Sequence, residues 1–212
     1  LASEPLPAQA LHVPGRPSVV LSTPYPLVPG GGERYLLTVA AGLARTMNVT
    51  LATEFAYSRL RLLKLGQDLG LDLTHVALAT VATAARMGGF DWSVPLGNYV
   101  FPSQPALARR NVFICQFPFP SSVERLARDV ALLAGYERVV LYSPFVARHY
   151  QRELLRMGIG GVQTTVVQPS AVLAPPARTG QALTAKRPRV VSVGRFFVDG
   201  HAKRHDFMIE AF

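Results

Sequence analysis

The chain has 212 residues, 49% of them hydrophobic, and this composition excludes a globally disordered protein. Its formal net charge of +9 favours acidic partners, such as phosphorylated ligands or anionic lipid surfaces. Basic residues are not interleaved with aromatic ones, so nucleic acid is not predicted as a partner. No apolar stretch reaches the roughly 18 residues that a membrane span needs. The single cysteine, Cys115, excludes an intramolecular disulfide, fits a reducing compartment and is predicted to be buried.

Residues 1–17 carry four prolines and no periodic pattern, and they are predicted to be a tail. A buried strand follows around Val19–Leu21. Three consecutive glycines, Gly30, Gly31 and Gly32, then precede a helix, which is predicted to start directly after the third. This spacing is not the G-x-G-x-x-G dinucleotide fingerprint. Glycines at a helix mouth let a ligand approach free N–H groups that attract anions, so a ligand loop and a plain connection are both open.

Strands and helices alternate through the rest of the chain up to residue 168. Further strands are predicted at 48–53, 73–78, 111–115, 139–142 and 164–167. Helices are predicted at 59–69, from a capping box formed by Ser121 and Glu124, and from Ser143 to Gly158. The segment 81–97 is ambiguous. Residues 116–120 are predicted to leave the sheet, because proline cannot serve a central ladder.

This alternation predicts an α/β fold: a Rossmann-like parallel sheet over residues 18–168 with helices on both faces. Ligands bind beyond the carboxyl ends of the strands in such sheets. The strand tips that matter are therefore Gly30–Gly32, Gln116–Pro118 and Ser143.

The helix at 59–69 carries three basic residues, Arg59, Arg61 and Lys64, and its apolar face is predicted to include Leu60 and Leu63. A solvated helix face is the favoured interpretation of the charges. A patch that meets a membrane surface is the alternative.

A proline-rich linker is predicted over 169–188. A new strand starts at Arg189, and a helix begins near Arg204. We therefore predict that 189–212 is the start of a second Rossmann-like domain, which is truncated because one strand and one helix cannot bury a core of their own.

The final segment reads VSVGRFF at 191–197, KRHD at 203–206 and MIEAF at 208–212. It resembles the start of the donor domain of family 4 retaining glycosyltransferases, which have the GT-B fold. Residues 30–34 resemble the family's glycine loop, 142–146 its last acceptor-domain turn, and 167–169 the segment that crosses between domains.

The resemblance implies an enzyme that moves a hexose from a UDP- or GDP-sugar to an acceptor hydroxyl with retention of configuration. Arg195 and Lys203 would hold the donor diphosphate, and no metal or other cofactor is expected. The glycine loop would lie against the donor phosphates or the acceptor. Gln116 and Ser143 are acceptor-side candidates, and Gln116 can hydrogen-bond a sugar hydroxyl but is no titrating base. The five histidines are too scattered for a metal set.

The family's catalytic glutamate pair is expected beyond Phe212, so this chain is expected to be an incomplete fragment that is inactive alone. The acceptor is a sugar or a lipid-linked molecule, and the expected location is cytoplasmic, with a peripheral membrane contact left open. Two alternatives remain: a non-catalytic Rossmann-like module that binds anions or a partner, and an inverting GT-B or epimerase relative.

Overall fold

The computed structural model describes residues 11–28, 30–120, 125–169 and 205–211. The described elements, in chain order, are β1 (Ser18–Thr23), α1 (Gly31–Leu43), β2 (Asn48–Thr53), α2 (Arg59–Leu69), β3 (Val76–Thr80), α3 (Val81–Met87), β4 (Phe90–Tyr99), β5 (Ala108–Phe119), α4 (Leu126–Leu133), β6 (Arg138–Leu141), α5 (Pro144–Arg156), β7 (Thr164–Val166) and α6 (His205–Ala211). The chain divides into two compact units, Leu1–Ser170 and Ala171–Phe212. In the second unit the described residues form α6, in agreement with the helix predicted there.

The strands of the first unit form one sheet in the order β3-β2-β1-β4-β5-β6-β7, and every neighbouring pair is parallel. The chain moves outward from β1 to β3, returns to place β4 on the other side of β1, and then moves outward to β7. This confirms the predicted α/β fold with a Rossmann-like parallel sheet.

Alternate residues of β5 show which face of the sheet each helix covers. Ile114 belongs to a buried cluster with Leu36 of α1 and Leu62 of α2, whereas Phe113 packs in a second cluster with Tyr150 of α5 and with residues of α4. Successive side chains of a strand point to opposite faces. We call the two sides the α1 face and the α4 face, and their presence confirms that helices cover both.

β2 and α2 have the predicted bounds, but β3 begins later than predicted, at Val76. The Asp72 side chain accepts the Thr74 N–H at 3.0 Å, and the Val76 N–H donates to the Leu73 carbonyl at 3.1 Å. These bonds make a turn of residues 72–75, so the chain becomes extended only afterwards. The ambiguous segment 81–97 holds α3 and most of β4.

The prediction that the chain leaves the sheet after Cys115 is wrong, because β5 continues through Pro118 to Phe119. β6 pairs with β5 only as far as Cys115, opposite Leu141. Beyond that point β5 has a single neighbour, β4, which it still meets at Tyr99 and Phe119. Proline is tolerated there because one side of the strand needs no ladder hydrogen bond.

The predicted apolar face of α2 is also wrong, because Leu60 is 76% exposed and the buried residues are Leu62, Leu65 and Gly66. The polar end of Arg59 is used within the fold, since its guanidinium donates to the carbonyl oxygens of Thr74 and Val76. The predicted cap at Ser143 is confirmed, because its hydroxyl oxygen accepts the Val146 N–H at 3.2 Å at the start of α5.

Several predictions lie outside the described residues. They are the capping box of Ser121 and Glu124, nearly all of the linker 169–188, and the diphosphate ligands Arg195 and Lys203. Among the described helices, none is both long and apolar enough to cross a membrane.

Candidate functional site

The strand order predicts a ligand-binding crevice beside β1. β1 lies between β2 and β4; the chain leaves it toward β2 over the α1 face and reaches β4 from β3 by way of α3 on the other face. The carboxyl ends of the strands at such a reversal form the usual ligand crevice of open parallel sheets. The glycine segment follows β1 at this edge.

The glycine segment opens α1. Gly30 is the N-cap, and the helix begins at Gly31, earlier than the sequence predicted. The N-cap residue offers no side-chain acceptor, so no capping side chain accepts a hydrogen bond from the N–H groups of the first turn. Glu33 lies in the same turn, where its carboxylate complements the helix dipole and opposes a bound anion.

The loop that leads to the glycines is fixed at Leu27, whose side chain is buried. Its N–H donates to the Tyr57 hydroxyl oxygen at 3.1 Å, and Arg61 Nη2 donates to its carbonyl oxygen at 3.1 Å. The Arg61 guanidinium also lies 4.6 Å from the centre of the Tyr57 ring. Arg61 therefore holds the loop that precedes the glycine segment at Leu27. This structural role differs from the membrane-surface patch that was the alternative interpretation of its charge.

Gly32 lies directly against the side-chain amide of Gln116. A methyl group at position 32 would stand 2.7 Å from both Nε2 and Oε1 of Gln116, closer than side-chain carbons approach such atoms. Gln116 is 5% exposed, and its Nε2 donates to the Tyr142 hydroxyl oxygen at 2.7 Å. We call Gly32, Gln116 and Tyr142 the amide cluster. It joins the start of α1 to β5 and to the end of β6.

The Tyr142 hydroxyl is held neutral and retains a hydrogen to donate. Burial raises the pKa of Tyr142; the hydrogen bond from Gln116 lowers it in part, and the nearby Glu33 carboxylate adds to the rise. Because the hydroxyl oxygen already accepts from Gln116, its own hydrogen can point to another acceptor. The Tyr35 ring supports it from α1, with ring centres 4.7 Å apart.

Tyr25 and Asn98 stand next to the cluster, at the ends of β1 and β4. The Asn98 N–H donates to the Tyr25 hydroxyl oxygen at 3.2 Å, and burial raises the pKa of Tyr25. The side-chain oxygen of Asn98 is buried and has no hydrogen-bond partner among the described residues. A buried acceptor without a donor is costly, so this atom marks a place where a ligand or water donor would be stabilised.

Ser143 lies next to Tyr142, but its hydroxyl oxygen is engaged in capping α5. The Ser143 hydroxyl can still donate its hydrogen to another acceptor. The structure therefore places Gly32 and Gln116 in contact, and it gives Ser143 the helix-capping role that the sequence predicted.

A second buried network holds the loop that follows β4. Gln104 is 5% exposed and accepts the Ser22 hydroxyl at 2.7 Å, while its Nε2 donates to Glu54 at 2.9 Å. The Tyr136 hydroxyl donates to the Gln104 carbonyl at 2.9 Å. The Gln104 side chain thus connects the ends of β1 and β2 to the loop after β4.

Cys115 is fully buried, as predicted, and its thiol contacts the Tyr99 carbonyl oxygen at 3.2 Å. Burial raises the pKa of this thiol, so it stays protonated at neutral pH. It therefore packs as a small side chain between β4 and β5. No group of three or more histidine, cysteine, aspartate or glutamate side chains that could hold a metal ion occurs in the described parts of the chain.

The fold defines the class of this protein as an α/β protein with a Rossmann-like parallel sheet and a cluster of polar side chains at its carboxyl edge. Comparison of the chain with protein families, with curated proteins and with solved structures gave no match.

Proposed function

We propose that this chain forms the acceptor-binding part of a retaining GT-B glycosyltransferase, which moves a hexose from a UDP- or GDP-sugar to an acceptor hydroxyl. The proposal is supported by the resemblance of its motifs to family 4 glycosyltransferases and by the chemistry of the amide cluster. A cytoplasmic location belongs to the same proposal, with contact to a membrane surface if the acceptor is lipid-linked.

The observation that carries the proposal is the contact between Gly32 and Gln116 at the carboxyl edge of the sheet. This contact brings uncharged hydrogen-bond donors and acceptors close together. They are the Tyr142 hydroxyl, the Gln116 amide and the first-turn N–H groups of α1. Sugar hydroxyls both donate and accept, so a set of mixed neutral groups suits them.

Glu33 favours an acceptor sugar over a donor phosphate at this place. Burial is the main cause that raises the pKa of Tyr142 and of Tyr25, and the Glu33 carboxylate lies close enough to raise both further. A negative charge in the same turn would repel a diphosphate and would accept hydrogen bonds from hydroxyls.

In this proposal the donor diphosphate is held by Arg195 and Lys203, without a metal or another cofactor. Two fixed cations would stabilise the negative charge that develops as the nucleoside diphosphate leaves. The bond between the sugar carbon and the diphosphate oxygen breaks, a new bond to the acceptor oxygen forms on the same face of the sugar, and the proton of the acceptor hydroxyl passes to the departing diphosphate.

The test is saturation-transfer NMR on the whole 212-residue chain, with a panel of methyl hexosides, UDP-glucose and GDP-mannose as separate ligands. At least one hexoside is expected to bind saturably, and Gly32→Ala should weaken that binding about tenfold, as the loss of one or two hydrogen bonds predicts. Gly42→Ala, near the other end of α1, is the control, because a methyl group there meets nothing within 4 Å.

No hexoside binding up to about 10 mM, the weak end of specific affinity, would contradict the proposal. Binding of a nucleotide alone, weakened by Gly32→Ala, would instead favour a non-catalytic anion-binding module. Hexoside binding with equal loss in both alanine variants would place the acceptor elsewhere.

A further inference from the structure

A separate cavity lies at the carboxyl edge of the sheet, on the α4 face. Its volume is about 370 Å³, within the range of small-molecule sites. The last residue of β4, Tyr99, and the following loop residue Phe101 line it, and so do Arg125, the N-cap of α4, and Arg128 and Asp129 of that helix. The amide cluster belongs to the α1 face, so this cavity is distinct from the proposed acceptor site.

The polar wall of the cavity is cationic. Arg125 and Arg128 stand three residues apart at the start of α4, so their side chains project from the same side of the helix. Both are exposed, and neither takes part in an ion pair within the described residues. Among the described lining residues Asp129 is the one carboxylate, so the two arginines leave this described lining with an excess of positive charge.

The other wall continues into exposed aromatic side chains. Tyr99 is 49% exposed and meets the Phe119 ring edge-on, with centres 6.2 Å apart. Phe119 stacks in turn on Phe117, at 6.1 Å, and Phe117 is 54% exposed. We call Tyr99, Phe119 and Phe117 the aromatic row. It extends an apolar surface from the cavity along the end of β5, and contiguous exposed apolar surface is uncommon unless it binds something.

We propose that this cavity binds an amphiphile with a phosphate head group and a hydrocarbon chain. The two guanidinium groups would hold the phosphate through charge-assisted, bidentate hydrogen bonds. The chain would lie on the aromatic row, where its burial removes apolar surface from water. The proposal rests on charge complementarity and on the cavity itself, and it does not depend on the glycosyltransferase assignment.

Isothermal titration calorimetry with three probes tests the proposal: decyl phosphate below its micellar concentration, decanol and inorganic phosphate. Decyl phosphate is expected to bind at least about tenfold more tightly than either of the others, because only it engages both walls. Equal affinity for decyl phosphate and inorganic phosphate would show that the cavity binds free phosphate, and it would contradict the proposal that the ligand is an amphiphile. Equal affinity for decyl phosphate and decanol would overturn the role of the arginines.

Two variants locate the site. Arg125→Gln with Arg128→Gln should lower the affinity for decyl phosphate at least about tenfold, whereas Arg152→Gln, an exposed arginine on α5, should leave it unchanged. Tyr99→Ser should lower the affinity for decyl phosphate and leave that for inorganic phosphate unchanged. Equal losses in the double variant and in Arg152→Gln, or no loss in Tyr99→Ser, would contradict the assignment. Circular dichroism confirms that each variant is folded.

Discussion

Gly32 and Gln116 are packed so closely that a carbon atom added at position 32 would require the Gln116 side chain to move. A methyl group there would lie 2.7 Å from both polar atoms of the Gln116 amide. That amide is buried and bonded to Tyr142, so it cannot retreat without losing the hydrogen bond. The first turn of α1 and the tip of β5 are therefore one structural unit, although they are far apart in sequence.

Substitution of Gly32 by alanine should change ligand binding more than stability. The added methyl group displaces the Gln116 amide and costs about 1 kcal/mol for the lost hydrogen bond, while alanine restores about 0.8–1 kcal/mol of helix propensity. We expect a free energy of unfolding within about 1 kcal/mol of the parent and roughly tenfold weaker hexoside binding. Urea denaturation and NMR titration measure the two quantities. Unchanged hexoside affinity would contradict this account of the site.

Gly42→Ala is the matched control. It lies near the other end of α1, gains the same helix propensity and meets no neighbour within 4 Å, so it should stabilise the protein by about 0.5–1 kcal/mol and leave binding unchanged. A destabilised Gly42→Ala protein would show that helix propensity does not determine the effect of alanine in α1.

A double-mutant cycle between Gln116 and Tyr142 should reveal direct coupling. Gln116→Met and Tyr142→Phe each remove one partner of the 2.7 Å hydrogen bond. Each single change should destabilise by about 1–2 kcal/mol because a buried partner is left unpaired, and the double variant should lose about 1 kcal/mol less than the sum. Strictly additive free energies of unfolding would mean that the two side chains do not interact.

Tyr136 and Tyr150 should respond oppositely to loss of their hydroxyl groups. Tyr136 donates to the Gln104 carbonyl, whereas the buried Tyr150 hydroxyl has no partner among the described residues. Tyr136→Phe should therefore cost about 1 kcal/mol, and Tyr150→Phe should be neutral or stabilise by up to about 1 kcal/mol. Urea denaturation with unchanged m-values gives both numbers. A large loss in Tyr150→Phe would reveal a partner for that hydroxyl.

The protein should lose stability in alkali. Burial raises the pKa of Tyr136, Tyr142 and Tyr150 above the value of about 10 that tyrosine has in an unfolded chain. The folded state therefore holds more protons than the unfolded state above pH ~10, so stability is intact below that pH and falls as the pH rises beyond it. An ultraviolet titration should show these groups ionising only together with loss of circular dichroism. Full ionisation near pH 10 in the folded protein would contradict their burial.

Asp91 should stabilise the opposite edge of the sheet at neutral pH and not in acid. Its carboxylate accepts the Ser18 N–H at 2.9 Å and pairs with Arg109, and these contacts, the Ser18 N–H foremost, lower the pKa of Asp91. A lowered carboxyl pKa gives stability that is present above the unfolded value of about 3.9 and is lost as the pH falls through the folded value.

Asp91→Asn should therefore lower the Tm at pH 7, and this deficit should shrink at a pH low enough to protonate the parent carboxylate as well. Asp68→Asn, at an exposed position on α2, is the control and should leave the Tm unchanged at both pH values. A deficit in Asp91→Asn that persists at low pH would assign its effect to shape instead of charge.

Much of the fold could be predicted from the sequence because each element carries a local signal. The apolar run at Val19–Leu21 and the Ser143-Pro144 cap specify their strand and helix through neighbouring residues alone. The continuation of β5 through Pro118 could not be predicted, since it depends on where the separate strand β6 stops. The buried face of α2 was misassigned for a similar reason: Leu60 and Leu62 are equally apolar, and only the direction of packing separates them.

The sequence predicts where in the fold the candidate site lies, but it does not predict which side chains touch there. Parallel strands bring their carboxyl ends to one edge, so Gly32 and Gln116 could be placed there from the sequence. Their contact, and the role of Tyr142 as hydrogen-bond partner, depend on how α1 rotates over the sheet. Asn98 directly follows the segment 81–97, whose pattern is ambiguous, so no sequence pattern places Asn98 at a strand end.

The most direct test of the proposed acceptor site follows the Gln116 side-chain amide and the Gly32 backbone amide by ¹H–¹⁵N NMR during titration with methyl hexosides. We expect both signals to shift saturably with the same Kd for at least one hexoside, and we expect Gly32→Ala to raise that Kd about tenfold. Saturable binding that leaves both signals unmoved, or no saturable binding by any hexoside, would contradict it.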